Sequence, residues 1–259
     1  MHARSDLLAW LRLQNEWGAD EALEAAPLDR LRTMPLTSAA HVAPADARVQ
    51  PRRPLAGTTP ADRATAAVSR ANTLEELRSV IAAFDECALR DTAASLVFAE
   101  GDPTTGLLLV SDPPGEAEDS CGTPFAGADG ELLDRMLGSV ALSRAAFLRA
   151  PLIPWRPPGG RSPNPGEIAL CLPFLHRLIT LTMPRRVVIA GALPSRILLN
   201  ATRRYGQPLW TGMEVPAQSA QIPALAMPSP SMVARTSAAR RQAWAALRLL
   251  RRTLDAEAR

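Results

Sequence analysis

The sequence predicts an α/β fold, a three-layer α/β/α sandwich with a mostly parallel central sheet of about four strands. Two observations support this prediction. From residue 92 onward, short apolar runs bounded by Gly and Pro alternate with amphipathic helical segments, which is the pattern of buried parallel strands joined by helices. In addition, 47% of the 259 residues are hydrophobic, which supports a sizeable core.

Four apolar runs are the strand candidates. The clearest are "GLLLVSD" at residues 106–112 and "VVIAGA" at residues 187–192. The runs "AAFLRAPLIP" at 145–154 and "IPALAMP" at 222–228 are weaker candidates, because prolines interrupt them. Their spacing leaves room for a helix or a long loop after each strand.

The helical segments are recognised by apolar spacing and by capping residues. A helix is predicted over residues 73–90, with Thr73 as N-cap and Glu76 as its capping partner. The run "GELLDRMLGSV" at 130–140 places its apolar residues on one helical face.

Two longer helices follow. One begins after Asn164 as N-cap, with Pro165 at the first position, and ends before Pro184. The last spans residues 237–254 and is predicted to turn Trp244, Leu247, Leu250 and Leu254 inward and its arginines outward.

The domain organisation follows from composition. Residues 1–33 are predicted to form an amino-terminal helical leader. Residues 34–66 carry Pro, Ala and Arg without periodicity and are predicted to be a disordered linker. Residues 67–259 are predicted to form the main domain.

The basic residues are unusual in kind. All 29 are arginine, although the net charge is only +3. A GC-rich genome explains this bias, and guanidinium groups also suit phosphate oxygens, so the arginines by themselves decide little.

Cysteine usage and hydropathy bear on the compartment. Cys87, Cys121 and Cys171 form no CxxC pair, and their odd number argues against a disulfide framework. No signal-like segment opens the sequence and no apolar run approaches about 20 residues. We expect a soluble cytoplasmic protein without membrane contact, acting as a monomer.

Three proline-rich loops are the candidate functional loops. They lie at 111–137, 154–167 and 227–235, each after a predicted strand. In such a sheet ligands bind where the strands end. Each loop taken singly is also consistent with a plain connector.

These loops carry a resemblance. "SDPPGEAEDSCGTPFAGADGELLDRML" resembles the Gly-Glu-Ala-Pro-Gly, Gly-x-Pro-Phe-Val-Gly and Leu-Leu-Asp segments of the type-4 uracil-DNA glycosylases. "WRPPGGRSPNPGEIALCLPFL" resembles their Arg-Pro-Pro-Gly-Asn-Arg segment, and "MPSPS" resembles the His-Pro-Ser-Pro loop of their superfamily. The likeness covers roughly residues 75–254. It implies a protein that extrudes a base from DNA and hydrolyses its glycosidic bond.

The resemblance implies a base pocket with a catalytic carboxylate. That carboxylate corresponds to Asp112, shortened from Glu, and the stacking ring corresponds to Phe125, which a core role would also explain. Pro151 stands in place of the base-reading Asn, and Met227 in place of the His that donates to the uracil oxygen. The other pocket residues are Ser111, Pro113 and Gly115. The acidic side chains of Glu116, Glu118 and Asp119 are expected to face solvent.

DNA contacts are expected from the second and third loops. Met232 and Val233 are candidates for an apolar wedge that fills the space of a flipped base. The same residues are also consistent with ordinary surface loops. The expected DNA-binding residues are Arg156, Arg161, Ser229, Ser231, Met232 and Arg235.

The resemblance also implies a four-iron, four-sulfur cluster held by four thiolates. Cys87 and Cys171 match two ligand positions, whereas Phe84 and Trp155 occupy the other two. We therefore expect no cluster and no other cofactor, with the two rings filling the space by apolar packing. Cys121 matches no ligand position.

Three functions remain open at this stage. The first is a protein that binds DNA at uracil or abasic sites, independently of sequence, with weak or lost glycosylase activity. The second is an active glycosylase of base-excision repair acting on uracil or another damaged base. The third is an interaction protein that reuses the fold without DNA.

Overall fold

The structure is a computed structural model that describes residues 59–199, 208–216 and 220–257. The leader predicted at 1–33 and most of the predicted linker lie outside the described residues. Within the described part, no helix is both long and apolar enough to cross a bilayer.

A five-stranded sheet forms the centre of the fold. Its spatial order is β2-β1-β3-β5-β4, and every neighbouring pair is parallel except β4 with β5. The predicted α/β class with a mostly parallel sheet is confirmed, with one strand more than the four predicted. The strands are β1 (Leu107–Ser111), β2 (Leu148–Pro151), β3 (Arg186–Ala190), β4 (Trp210–Met213) and β5 (Ile222–Met227).

The additional strand, β4, is a short antiparallel edge strand. The Arg186 guanidinium lies 4.8 Å from the ring centroid of Trp210, and the indole Nε1 donates to Thr253 Oγ1 at 3.1 Å. Because β4 is partly exposed and contains a glycine, its sequence carries neither an apolar run nor a clear alternation. That explains why sequence patterning missed it.

Nine α-helices lie within the described residues. They are α1 (Pro60–Val68), α2 (Leu74–Ala83), α3 (Ala88–Thr92), α4 (Glu116–Cys121), α5 (Gly127–Gly138), α6 (Pro165–Thr182), α7 (Ala192–Leu198), α8 (Pro230–Arg235) and α9 (Ser237–Glu257).

Two predicted boundaries in the amino-terminal part were wrong. Helix α1 begins at Pro60, inside the segment predicted as a linker up to residue 66, because Thr59 and Asp62 form a capping box. The single helix predicted over 73–90 is two helices, α2 and α3. Thr73 caps α2 as expected, but Phe84 leaves the helical conformation.

The sheet separates two apolar clusters, since residues alternate between its faces. One cluster joins Leu108, Val110 and Ile189 to α1, α2 and α6. The other joins Leu109, Val188 and Leu225 to α5 and α9.

Helix α6 confirms its capping prediction, with Asn164 Oδ1 accepting from Glu167 N at 2.9 Å. In α9, Leu247 and Leu250 are buried as predicted. The inward placement of Trp244 was wrong, because its side chain is 45% exposed.

Candidate active site

Two adjoining clefts lie where β1, β3 and β5 end. The acidic cleft, about 610 Å³, is lined by Asp112, Glu118, Phe125 and Arg235 among others. The arginine cleft, about 670 Å³, is lined by Arg156, Arg161, Met232 and Gln242 among others. The two clefts share six lining residues: Asp112, Pro113, Gly115, Gly160, Ser229 and Ser231. The three proline-rich loops therefore meet at one site, as the sequence predicted.

Asp112 is the carboxylate common to both clefts. Burial raises its pKa to about 6, although hydrogen bonds from the Leu193 backbone N–H and the Ser229 hydroxyl favour the charged form. The Ser229 and Ser231 hydroxyl oxygens lie 3.0 Å apart. Since Ser229 donates to Asp112, Ser231 can donate to Ser229. This arrangement holds a carboxylate that is charged above about pH 6.

Gly191 sets the position of that carboxylate. It has φ +146°, a conformation that glycine adopts readily and other residues rarely. A Cβ added at Gly191 would overlap the Asp112 carboxyl group. The Gly191 N–H donates to the Met227 carbonyl at 3.0 Å, which fixes this turn against the end of β5. Sequence analysis missed Gly191, whose only signal was a glycine directly after a strand.

Glu118 is a second, half-buried carboxylate that accepts two hydrogen bonds inside the loop, so its expected solvent-facing position was wrong. One oxygen accepts from Gly115 N at 2.7 Å and the other from Phe125 N at 2.6 Å. Burial raises the pKa of Glu118, against these two hydrogen bonds. Phe125 has φ 57°, and Arg144 Nη2 donates to its carbonyl at 3.1 Å. Glu118 therefore joins the two ends of the acidic loop and holds the ring of Phe125 in the cleft wall.

Asp119, unlike Glu118, is buried rather than half-buried, contrary to expectation. Its Oδ1 accepts from Ala94 N at 2.9 Å and from Ser95 N at 3.2 Å. It thereby ties the loop to the segment before β1. Of the three acidic residues expected to face solvent, Glu116 does so, with its side chain 84% exposed.

The arginines predicted to contact DNA differ in their environments. Arg161 forms an ion pair with Glu167, with its Nη2 2.6 Å from Oε1. Arg156 lies 3.9 Å from Glu116, and its buried Nε has no hydrogen-bond partner among the described residues. Arg235 is exposed at the rim of the acidic cleft. Met232 is 46% exposed, whereas Val233 is buried and cannot serve as a wedge.

Pro151 and Met227 line neither cleft. Pro151 is buried at the end of β2, beside Ser111 of β1. Met227 is buried in the apolar cluster that contains α9. No histidine or asparagine lines either cleft within the described part of the chain. His176 is in the middle of α6, where burial lowers its pKa to about 4.

The four positions that correspond to iron–sulfur ligands in the resemblance lie in an apolar region. The Cys87 and Cys171 sulfurs lie 3.9 Å apart. That contact lowers the pKa of Cys87 to about 7 and, with burial, raises the pKa of Cys171. The rings of Phe84 and Trp155 pack edge-on against Phe174, with centroids at 5.3 and 5.9 Å.

These residues do not fit a four-thiolate iron–sulfur cluster. Among the residues with described placement, no three His, Cys, Asp or Glu side chains are grouped to hold a metal.

Fold and site together define a class of protein: an α/β protein with a mostly parallel sheet and a half-buried carboxylate in a cleft at the carboxyl ends of its strands. A model of the uracil DNA glycosylase superfamily matches residues 98–248. The chain belongs to this superfamily.

Curated relatives agree with that assignment. The type-4 uracil-DNA glycosylase of Pyrobaculum aerophilum is 32% identical over 136 residues, 52% of this chain and 69% of the relative. The Sulfurisphaera tokodaii protein of the same name is 34% identical over 121 residues, 46% of this chain and 55% of the relative. The Archaeoglobus fulgidus one is 31% identical over 127 residues, 49% and 64%. The matched part thus spans 55% to 69% of these relatives.

Proposed function

We propose that the protein binds DNA at uracil or abasic sites, independently of sequence, and that its glycosylase activity is weak or lost. The observation that carries this proposal is the environment of Asp112. A half-buried carboxylate is retained in the cleft and held by Leu193 and Ser229. Among the described residues that line the two clefts there is no histidine and no asparagine, the residue types that the resemblance associates with excision.

Asp112 can perform one part of glycosidic hydrolysis. Its carboxylate can orient a water molecule toward the anomeric carbon and stabilise the oxocarbenium-like charge of the sugar. The breaking bond leaves its electron pair on the base, so a donor is needed at the base oxygen. Met227, which replaces the expected donor, is buried and apolar. Loss of one such donor typically lowers the rate by about 10²–10³-fold.

DNA binding requires less of the site than excision does. The guanidinium groups of Arg156, whose side chain is 27% exposed, and of Arg235 line the two clefts. Both can donate to phosphate oxygens. Ser231 adds a hydroxyl beside them, and Met232 adds an exposed apolar side chain. These groups can bind the distorted phosphate backbone of damaged DNA, and they do so without the histidine that excision requires.

We further propose that the protein functions without an iron–sulfur cluster or other cofactor. Phe84 and Trp155 fill the apolar region beside Cys87 and Cys171, and two thiols are too few for a cluster of this kind.

An active glycosylase is the second candidate function. Asp112, Ser229 and Phe125 would supply its water, orientation and stacking groups. The names of the three relatives favour this candidate.

A gel assay separates the candidates. Single- and double-stranded oligonucleotides carrying uracil, an abasic site or no lesion are tested for binding and for cleavage after alkali, with wild type and Asp112→Asn. We expect lesion-dependent binding and little cleavage by wild type. Efficient cleavage that Asp112→Asn abolishes establishes the active glycosylase. Absence of any salt-sensitive DNA affinity in the wild type refutes both and favours the interaction protein.

A further inference from the structure

The outer face of α9 carries an exposed indole among arginines. Trp244 is 45% exposed. Arg241, Arg248 and Arg252 lie three, four and eight residues from it and are exposed as well. Residues at this spacing share one side of a helix. We call these four residues the α9 stripe.

No salt bridge within the described residues neutralises the charges of the α9 stripe. No acidic residue occurs from residue 237 to residue 254. The salt bridges of the described chain include none to Arg241, Arg248 or Arg252. The other arginines of the helix are engaged: Arg240 donates to the Val233 carbonyl and Arg251 pairs with Asp255.

The α9 stripe begins in the same two turns of α9 that border the arginine cleft. Ala238, Ala239 and Gln242, in the first two turns of α9, line that cleft. At 1.5 Å per residue, the helix runs about 15 Å from Gln242 to Arg252. Along this length the stripe presents three cations and one aromatic ring, which is the composition of single-strand binding surfaces.

We propose that the α9 stripe binds single-stranded nucleic acid next to the cleft. Trp244 stacks on an unpaired base, and Arg241, Arg248 and Arg252 contact phosphates. A base inside a duplex offers no free face to the indole, which selects the single strand. An indole ringed by like charges suits a polyanion better than an apolar protein surface. The inference extends the proposed function by adding a second, pocket-independent contact to DNA.

The test uses full-length protein and oligothymidylate, which contains no uracil and no abasic site. Affinity is measured against salt concentration for wild type and for Arg241→Ala with Arg248→Ala. Two lost phosphate contacts should reduce the slope of log affinity against log salt by about 1.4. The matched control is Arg70→Ala with Arg78→Ala, which removes two exposed arginines near α2, on the opposite face of the sheet.

Stacking is tested by a second pair of variants. Trp244→Ala should weaken oligothymidylate binding by about 5- to 150-fold, and Trp244→Phe should retain most of it. The inference is overturned if the arginine pair behaves like its control, or if Trp244→Phe binds as weakly as Trp244→Ala. Its failure is separate from that of the proposed function, because lesion binding in the cleft is measured with Asp112→Asn on uracil-containing duplex.

Discussion

The surroundings of Asp112 disfavour its charged form. This lowers the stability of the folded protein by a measurable amount. Its pKa is about 6 in the fold and 3.8 ordinarily. The folded protein therefore binds this proton more tightly than the unfolded chain does. As pH rises from about 4 through about 6, the group destabilises the fold, and the loss persists at higher pH.

The first prediction is that Asp112→Asn stabilises the protein at neutral pH. The gain should be on the order of 1–3 kcal/mol, because the amide keeps an acceptor for Leu193 and Ser229 without the buried charge. Thermal unfolding at several pH values measures it. The difference from wild type should vanish near pH 4, and a pH-independent difference would contradict the assignment.

The second prediction concerns Gly191. Gly191→Ala should displace the Asp112 carboxyl group and strain the backbone, since φ is +146°. We expect a lower melting temperature and weaker binding to uracil-containing DNA. Gly138→Ala is the matched control, because nothing lies within 4 Å of its added methyl group, and it should be neutral or slightly stabilising. Equal behaviour of the two variants would show that Gly191 does not position Asp112.

At the residue scale, the sequence identified which residues belong to the site better than it predicted which of their side chains face solvent. It brought Asp112, Phe125, Ser229 and Arg156 to one site, because strand ends meet at one edge of a parallel sheet. It did not foresee that Glu118 is half-buried and hydrogen-bonded within the loop, since an acidic side chain in a loop is ordinarily solvated.

Helix α4 is the element that shapes the acidic cleft. Its Glu118 holds Gly115 and Phe125 by their backbone N–H groups, whereas its Glu116 extends into solvent. Because both residues belong to the same short helix, Glu116 is a suitable control position for Glu118.

The third prediction is that Glu118→Ala destabilises the fold by about 1–3 kcal/mol and weakens lesion binding, because two N–H groups lose their acceptor. Glu116→Ala should change stability by less than about 0.5 kcal/mol. Chemical denaturation and oligonucleotide binding give the two readouts. If both variants match wild type, Phe125 does not depend on Glu118.

Among the elements, those with strong local signals were predicted and those defined by tertiary contacts were not. Helix α6 has its cap, its proline and a long apolar face in sequence. By contrast, β4 forms by antiparallel pairing with β5 at the edge of the sheet. Trp244 is exposed, although helical spacing in the sequence predicts an inward position.

At the scale of the molecule, two aromatic rings and two thiols share the interior between α2, α3 and α6. The fourth prediction is that the purified protein contains no stoichiometric iron and shows no visible absorbance band. Metal analysis of protein purified without oxygen checks it. Cys87→Ala with Cys171→Ala should remain folded, because neighbouring apolar contacts hold this region. Iron bound at a constant ratio and lost in that double variant would contradict the prediction.

The residues that line the arginine cleft are synthesised at widely separated times during translation. Asp112 and Gly115 come from the loop after β1, whereas Ser229 and Gln242 come from the last quarter of the sequence. At about 5–20 residues per second, translation needs roughly 6–26 seconds to pass from one group to the other. A nascent chain thus exposes the acidic loop well before its partners exist. Nucleic acid close to the ribosome cannot occupy the cleft until residue 242 has emerged.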